Sequence, residues 1–264
     1  MKEYMIYYHY ENISLIDSTL ALLKKLNINT ICGEKFEYYG EHLSYLLNER
    51  AFFIAQAYNI AKAKDKDLLV LEDDAFKSLT FAKKMIDENP NLFNMIEKEL
   101  SKQNIKYSQD TNIIHISNLL SQDNNKIQIK KNLKSDFSDF SSCIFYSNNL
   151  NSTHTKEILD LINLKIHFES YCDFFNIPNI NIAYKYSAKY LENAIDCGCD
   201  FIISNSIGNF NMFDRERKKL EKMINRDLSK IPVINLSQLL LLAFGINDDS
   251  MLNFRYHKFI PEFI

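Results

Sequence analysis

The sequence lacks the excess of positive charge that is typical of proteins that bind nucleic acids. Its 264 residues carry a formal net charge of −3, and the lysines and arginines are scattered. The densest basic patch is KKNLK at residues 130–134. Because a general nucleic-acid-binding protein usually presents a basic face, we expect no nucleic acid among the partners. We interpret the patch as a solvated surface turn.

The sequence also lacks a long apolar run. A membrane-spanning helix needs about 18 or more consecutive apolar residues. The longest candidate, Leu236 to Ile246, is interrupted by Ser237, Gln238 and Gly245. The first residues, MKEYMIYYHY, show no charged and then apolar signal with a cleavage site, and they have the pattern of a strand. We therefore expect a cytoplasmic protein without direct membrane insertion.

Paired metal-ligand motifs are missing as well. No Cys-x-x-Cys or His-x-x-x-His spacing occurs among the five cysteines and six histidines. The closest cysteines, in DCGCD, are Cys197 and Cys199, and two thiols cannot complete a structural zinc site of four ligands. The sequence therefore predicts no metal site, and we interpret the cysteines as reduced thiols that fill small apolar spaces. The cysteines are Cys32, Cys143, Cys172, Cys197 and Cys199.

What the chain does contain is internal repetition. IIHISNLL at 113–120 matches VINLSQLL at 233–240, and DLLVLEDDAF at 67–76 matches DFIISNSIGNF at 200–210. FEYYGE at 36–41 matches CDFFNI at 172–177, since each places two aromatic rings before a residue that tolerates a left-handed turn. The matches keep one order along the chain. We predict two copies of one unit, 1–130 and 136–264, joined through the polar, aperiodic stretch 122–139.

Each copy shows short apolar strands that alternate with amphipathic helices, in the order β-α-β-α-β-α-β. This alternation predicts an α/β protein made of two tandem Rossmann-like units with parallel sheets covered on both faces. In such sheets, ligands bind beyond the carboxyl ends of the strands. The turns EYYG, EDDA, DFFN and NSIGN all follow predicted strands. We expect them to converge on one cleft between the copies.

Two segments, KYLENAIDCGCDFIISNSIGNFNMFD at 189–214 and IPVINLSQLLLLAFGI at 231–246, carry a family resemblance. With the repeats, they resemble the cysteine-rich CCG-domain family, in particular the B-type subunit of heterodisulfide reductase and its relatives in atypical succinate dehydrogenases. The resemblance covers nearly the whole chain. It implies two CCG repeats and an oxidoreductase whose cysteines hold iron–sulfur clusters that cleave or form disulfides.

The cysteines that this family uses as ligands are absent. The resemblance places the first CCG on Tyr38-Tyr39-Gly40 and the second on Phe174-Phe175-Asn176. It places the two Cys-x-x-Cys motifs on 72–75 and 206–209, and the strand-end cysteines near His9 and Asn148. The candidate site therefore consists of Tyr38, Tyr39, Gly40, Glu72, Asp73, Ala75, Asn148, Phe174, Phe175, Ser206 and Asn209.

Side chains of these types are not the ligands of the family's iron–sulfur clusters. Iron–sulfur clusters need thiolates, or two histidines beside two thiolates, so we expect no cofactor and no catalytic residue. Twice, a cysteine pair is replaced by two large rings, which can fill the volume that a cluster would leave. The sequence favours this plugged site, and an aromatic platform for a small molecule is the alternative.

Two polar stretches allow other chemistry. Glu72-Asp73-Asp74 can cap the helix that follows, or it can bind Mg²⁺. Ser206-Ile207-Gly208-Asn209 can cradle an anion with its backbone N–H groups, although it lacks the lysine of a phosphate loop. His115 and Asn235 occupy equivalent repeat positions, where we expect hydrogen bonding alone.

Three functions follow from these patterns. The first is a degenerate, non-catalytic binding or structural protein whose partners are proteins, including the subunits of a redox complex. The second is an enzyme or small-molecule binder that uses the aromatic and acidic cleft. The third keeps the redox role of the family through Cys197 and Cys199, although a bridge across one residue would be strained.

Overall fold

The computed structural model describes residues 2–8, 13–32, 36–39, 42–228 and 231–261, and of Phe175 only the backbone. Within these ranges the chain forms two four-stranded sheets, both entirely parallel. The strands are β1 Glu3–Tyr7, β2 Asn29–Ile31, β3 Asp67–Val70, β4 Ile113–His115, β5 Ser141–Tyr146, β6 Lys165–Tyr171, β7 Phe201–Ile203 and β8 Val233–Ile234. The helices are α1 Ile13–Lys25, α2 Glu49–Lys62, α3 Asp73–Glu88, α4 Pro90–Ser101, α5 Ile116–Leu120, α6 Asp123–Asn132, α7 Ser152–Leu159, α8 Ile180–Asp196, α9 Ile207–Phe210, α10 Arg217–Ile224, α11 Leu236–Ala243 and α12 Asp249–Leu252.

The two sheets share one topology. The first has the strand order β2-β1-β3-β4 and the second has β6-β5-β7-β8, so the same connection pattern is used twice. The central strands are almost wholly buried, as expected for parallel sheets covered on both faces. The predicted α/β class with two Rossmann-like parallel sheets is therefore confirmed.

The chain divides into two compact units. The first contains Met1–Tyr10 and Ile28–Ile116, and the second contains Glu11–Asn27 and Ser117–Ile264. Helix α1 belongs to the second unit, where it packs on α11 and α12. The Thr19 hydroxyl lies 2.8 Å from that of Ser237. The compact units therefore differ from the repeats 1–130 and 136–264, whose boundaries stay a prediction.

The first unit holds an apolar core between its sheet and helices α2, α3 and α4. Phe52, Phe53 and Leu68 are fully buried in it. Helix α4 has no counterpart among the helices that we predicted. It begins at Asn89-Pro90, where the Asn89 side chain accepts hydrogen bonds from the first backbone N–H groups and Pro90 occupies the first turn.

The second unit holds the other core, built on Phe145, Ile202 and Val233 of its sheet. The stretch 122–139, which we predicted to be an aperiodic linker, contains helix α6 and lies inside this unit. Helix α6 was not predicted, because it buries only Ile129 and so shows no apolar period in the sequence. The role of this stretch as the linker between the repeats stays a prediction. No helix in the described ranges is long and apolar enough to cross a bilayer.

Candidate functional site

Phe174 is a core residue of the second unit. It follows β6 in a short 3₁₀ turn, and its side chain is 1 % exposed. Its ring centroid lies 6.0 Å from that of Phe145, 5.1 Å from that of Tyr190 and 5.5 Å from that of Phe213. Tilted and edge contacts at these distances are favourable for aromatic pairs. The ring therefore fills the core at the carboxyl end of the sheet.

Asn209 connects this turn to the turn that follows β7. Its side-chain oxygen accepts a hydrogen bond from the Phe174 backbone N–H at 3.1 Å, and its amide nitrogen donates to the Cys172 carbonyl at 3.0 Å. Ser206 caps α9 and accepts the Asn209 backbone N–H at 3.2 Å. The structure thus brings together Phe174, Ser206 and Asn209, all of them buried, in a satisfied polar network.

Asn148 lies in the turn after β5. Its side chain accepts from the Leu150 backbone N–H at 3.0 Å and donates to the Ser147 hydroxyl at 3.1 Å. These bonds organise the turn itself. The Phe175 side chain, like Gly40 and His9, lies outside the described part of the chain.

The acidic run of the first unit begins helix α3. The Glu72 carboxylate accepts the Ala75 backbone N–H at 2.6 Å, which confirms our interpretation of Glu72 as a cap. Asp73 lies 3.3 Å from the His115 imidazole, and both side chains are buried. No group of three or more histidine, cysteine or acidic side chains in the described ranges has the arrangement of a metal site.

The tyrosine pair of the first unit does not fill its core as Phe174 fills that of the second. Tyr38 is 51 % exposed, and Tyr39 packs only partly against the core. The buried ring is Phe36, whose centroid lies 4.8 Å from that of Tyr7. The plugged-site prediction is therefore wrong for Tyr38, since the chain turns Phe36 inward and Tyr38 outward.

Tyr7 is a buried residue at the end of β1 that the sequence interpretation did not single out. Burial raises the pKa of its phenol, and the negative charges of Glu72 and Tyr38 raise it further. The available signal was the position of Tyr7, because it ends β1.

The side chains at the positions that the resemblance assigns to cluster ligands do not fit an iron–sulfur cluster. In the second unit these side chains carry a phenyl ring, a hydroxyl and a carboxamide, and in the first unit they carry phenols and carboxylates. The cysteines lie elsewhere, and Cys143 and Cys199 are buried in the second core. Clusters of this kind are held by thiolates, so no step of cluster chemistry is assigned to these residues.

Most of the second unit resembles a known domain family. Residues 171–258 match the family model of the HdrB-like C-terminal domain. This segment is similar to that domain. It contains Phe174, Ser206 and Asn209, so the resemblance drawn from the sequence is confirmed where the buried network lies. No curated protein matches the chain.

One solved structure resembles the whole chain. A hypothetical protein from Helicobacter pylori has a TM-score of 0.88 and 26 % sequence identity, over 100 % of this chain and 53 % of that one. The chain thus spans about half the length of that relative. A maleate isomerase from Pseudomonas putida S16 reaches a TM-score of only 0.32 at 12 % identity, over 93 % of this chain and 92 % of that one, which is too remote to bear on the fold.

Proposed function

We propose that this HdrB-like chain is a degenerate family member that binds no iron–sulfur cluster and serves as a binding or structural component for a protein partner. The observation that carries the proposal is the second-unit network, in which Phe174 and Asn209 occupy former ligand positions as buried core residues. A side chain that fills a core and satisfies backbone groups leaves neither the donor nor the volume that a cluster needs.

Reconstitution with ferrous iron and sulfide under anaerobic conditions tests the cluster part of this proposal. We expect the natural chain to acquire no cluster absorbance. The matched control is a variant with cysteine at Phe174, Phe175, Ser206 and Asn209, which restores the thiol set that the resemblance implies. Cluster formation in the natural chain would refute the proposal, whereas formation in the variant alone would support the placement of the ligand positions.

An exposed apolar segment supports the protein-partner part. Leu43, Leu46 and Leu47 belong to one short turn of the first unit and are 46 %, 67 % and 89 % exposed. Apolar residues that cluster at the surface commonly mark protein contacts. We expect partners captured from the native cell by the natural chain to be lost with a Leu46→Lys, Leu47→Lys variant. Equal recovery of these partners with both chains would refute a contact through Leu46 and Leu47.

The edge formed by Tyr7, Tyr38 and Glu72 favours small-molecule binding as a second candidate function. Tyr38 is half exposed, and the charges of Glu72 and Tyr38 add to the burial that raises the pKa of the Tyr7 phenol. A thermal-shift screen with divalent cations, nucleotides and thiol metabolites tests this candidate, because a specific ligand raises Tm by mass action. The shift should vanish in Tyr38→Phe and persist in Tyr186→Phe, which alters a tyrosine that is 57 % exposed in the second unit.

A further inference from the structure

A groove lies in the first unit between the carboxyl ends of helices α2 and α4 and the loop that leads into β4. Its volume is about 700 Å³, which is within the range of roughly 300–1,000 Å³ that is typical of small-molecule sites. It is lined by the end of α2 with Lys64, by Phe93 of α4 and by residues 104–110. Because Lys64 and Asp110 shortly precede β3 and β4, the groove lies at the amino ends of these strands, away from the turns that follow them.

The apolar part of the lining is held in place by the fold. The ring centroids of Phe93 and Tyr107 lie 6.1 Å apart, and Ile105 packs against the same core. The Tyr107 backbone N–H donates to the Glu97 carboxylate at 2.9 Å, and the Tyr107 hydroxyl donates to Asp87 at 3.2 Å. These contacts fix the loop, so the groove is formed without a ligand, as small-molecule sites usually are.

The charged part of the lining is basic. The described lining residues include Lys62, Lys64 and Lys106 against Asp110, which gives them a net charge of +2, in a chain whose net charge is −3. A lysine ammonium group is a compact point charge that binds phosphate groups. A phosphate monoester carries a charge of about −1.5 to −2 at pH 7, which matches the charge of the lining.

Lys64 has a backbone conformation that lysine rarely adopts. Its φ is 58°, in the left-handed region, and its N–H closes the end of α2 by donating to the Ala61 carbonyl at 3.2 Å. Glycine or asparagine is the usual residue at such a helix end. In the described part of the chain, the other residues with a positive φ are five asparagines and two glycines. Strained residues of this kind concentrate at functional sites, and this one lines the groove.

We propose that the groove binds a small organic phosphate, that is, a phosphate group joined to an apolar body. The phosphate group contacts the ammonium groups of Lys62, Lys64 and Lys106, and the apolar body lies against Phe93 and Ile105. Lysine at the left-handed end of α2 places a positive charge at the groove, where asparagine would suit the backbone better. The strain at Lys64 therefore has a function in this site.

Isothermal titration calorimetry of the intact chain with phenyl phosphate tests the groove. At low ionic strength we expect binding at a single site, with weaker binding of inorganic phosphate, which lacks the apolar body, and of phenol, which lacks the charge. Added salt should weaken the binding, because it screens exposed charges. Absence of phenyl phosphate binding would overturn the proposal. Binding of inorganic phosphate as tight as that of phenyl phosphate would overturn the role of Phe93 and Ile105.

The variant Lys64→Asn separates binding from stability. It removes one ammonium group and places at this helix end a residue that tolerates the left-handed conformation. We expect the Kd for phenyl phosphate to rise about tenfold, the effect of one lost charge contact near a protein surface. The Tm without ligand should stay equal or rise, because the strain is relieved. A lower Tm would overturn the assignment of strain and make Lys64 a structural residue.

Lys25→Asn is the matched control for the lost charge. Lys25 is exposed in the last turn of α1, in the second unit, so its replacement should leave the Kd for phenyl phosphate unchanged. Equal binding by Lys64→Asn and the natural chain would overturn the site. Equal losses of affinity in Lys64→Asn and Lys25→Asn would also overturn it, because they would show attraction by the net charge of the chain in place of binding in the groove.

Discussion

Replacement of Phe174 by alanine should strongly destabilise the second unit. The side chain is 1 % exposed and contacts three other rings. Removal of a buried phenylalanine typically costs about 3–5 kcal/mol through lost transfer free energy and the cavity left behind. Because three aromatic contacts vanish together, we expect about 4 kcal/mol. With a urea m-value of about 2 kcal/mol/M, the midpoint should fall by about 2 M.

Tyr38→Ala is the matched control, because Tyr38 holds the equivalent repeat position but is 51 % exposed. Its unfolding free energy should change by less than about 1 kcal/mol. Far-UV circular dichroism during urea unfolding measures both variants, since the chain contains no tryptophan for fluorescence. A loss below about 1 kcal/mol for Phe174→Ala would refute the description of this ring as a core element, and equal losses for both variants would refute the asymmetry between the units.

Three further predictions concern polar groups. Asn209→Ala leaves two buried backbone groups without their partner, so it should cost about 1–3 kcal/mol in urea unfolding; an unchanged midpoint would contradict the bridging role. Glu72→Ala should cost about 1 kcal/mol through the lost cap, while Glu72→Gln, which keeps an acceptor oxygen, should cost less. Mg²⁺ should not raise the Tm of the natural chain or of either variant. A rise in Tm with Mg²⁺ that is specific to the natural chain would favour a metal site. Burial lowers the pKa of His257 from 6.5 to about 4, so the unfolded state binds a proton first as pH falls. The free energy of unfolding should therefore drop by about 3 kcal/mol between pH 6.5 and 4. His257→Gln should flatten this pH dependence, and equal pH dependence in the variant and the natural chain would contradict the lowered pKa.

The sequence predicted the regular framework well. Short apolar strands between amphipathic helices are local patterns, and they predict the parallel sheets that both units contain. Glu72 as a cap was also predictable, because a carboxylate before an amphipathic stretch satisfies the free N–H groups of a helix start. Helix α6 was not predictable, since a polar helix that buries one residue shows no apolar period in the sequence.

Long-range relations could not be predicted. Helix α1 lies in the second unit because its buried face packs on α11 and α12, which come over two hundred positions later. Whether Phe36 or Tyr38 turns inward depends on the path of one loop. Tertiary geometry decides such points, and single-sequence patterns do not encode it. Convergence of the candidate residues of both units on one cleft stays a prediction.

The state of the protein as isolated tests the central claim most directly. The chain is purified without oxygen, its visible absorption spectrum is recorded, and iron and acid-labile sulfide are measured on the same sample. If Phe174 and Asn209 fill, as core residues, the positions that the resemblance assigns to cluster ligands, the sample should be colourless and well folded, with iron and sulfide far below one equivalent per chain. A brown sample with stoichiometric iron and sulfide would contradict this account.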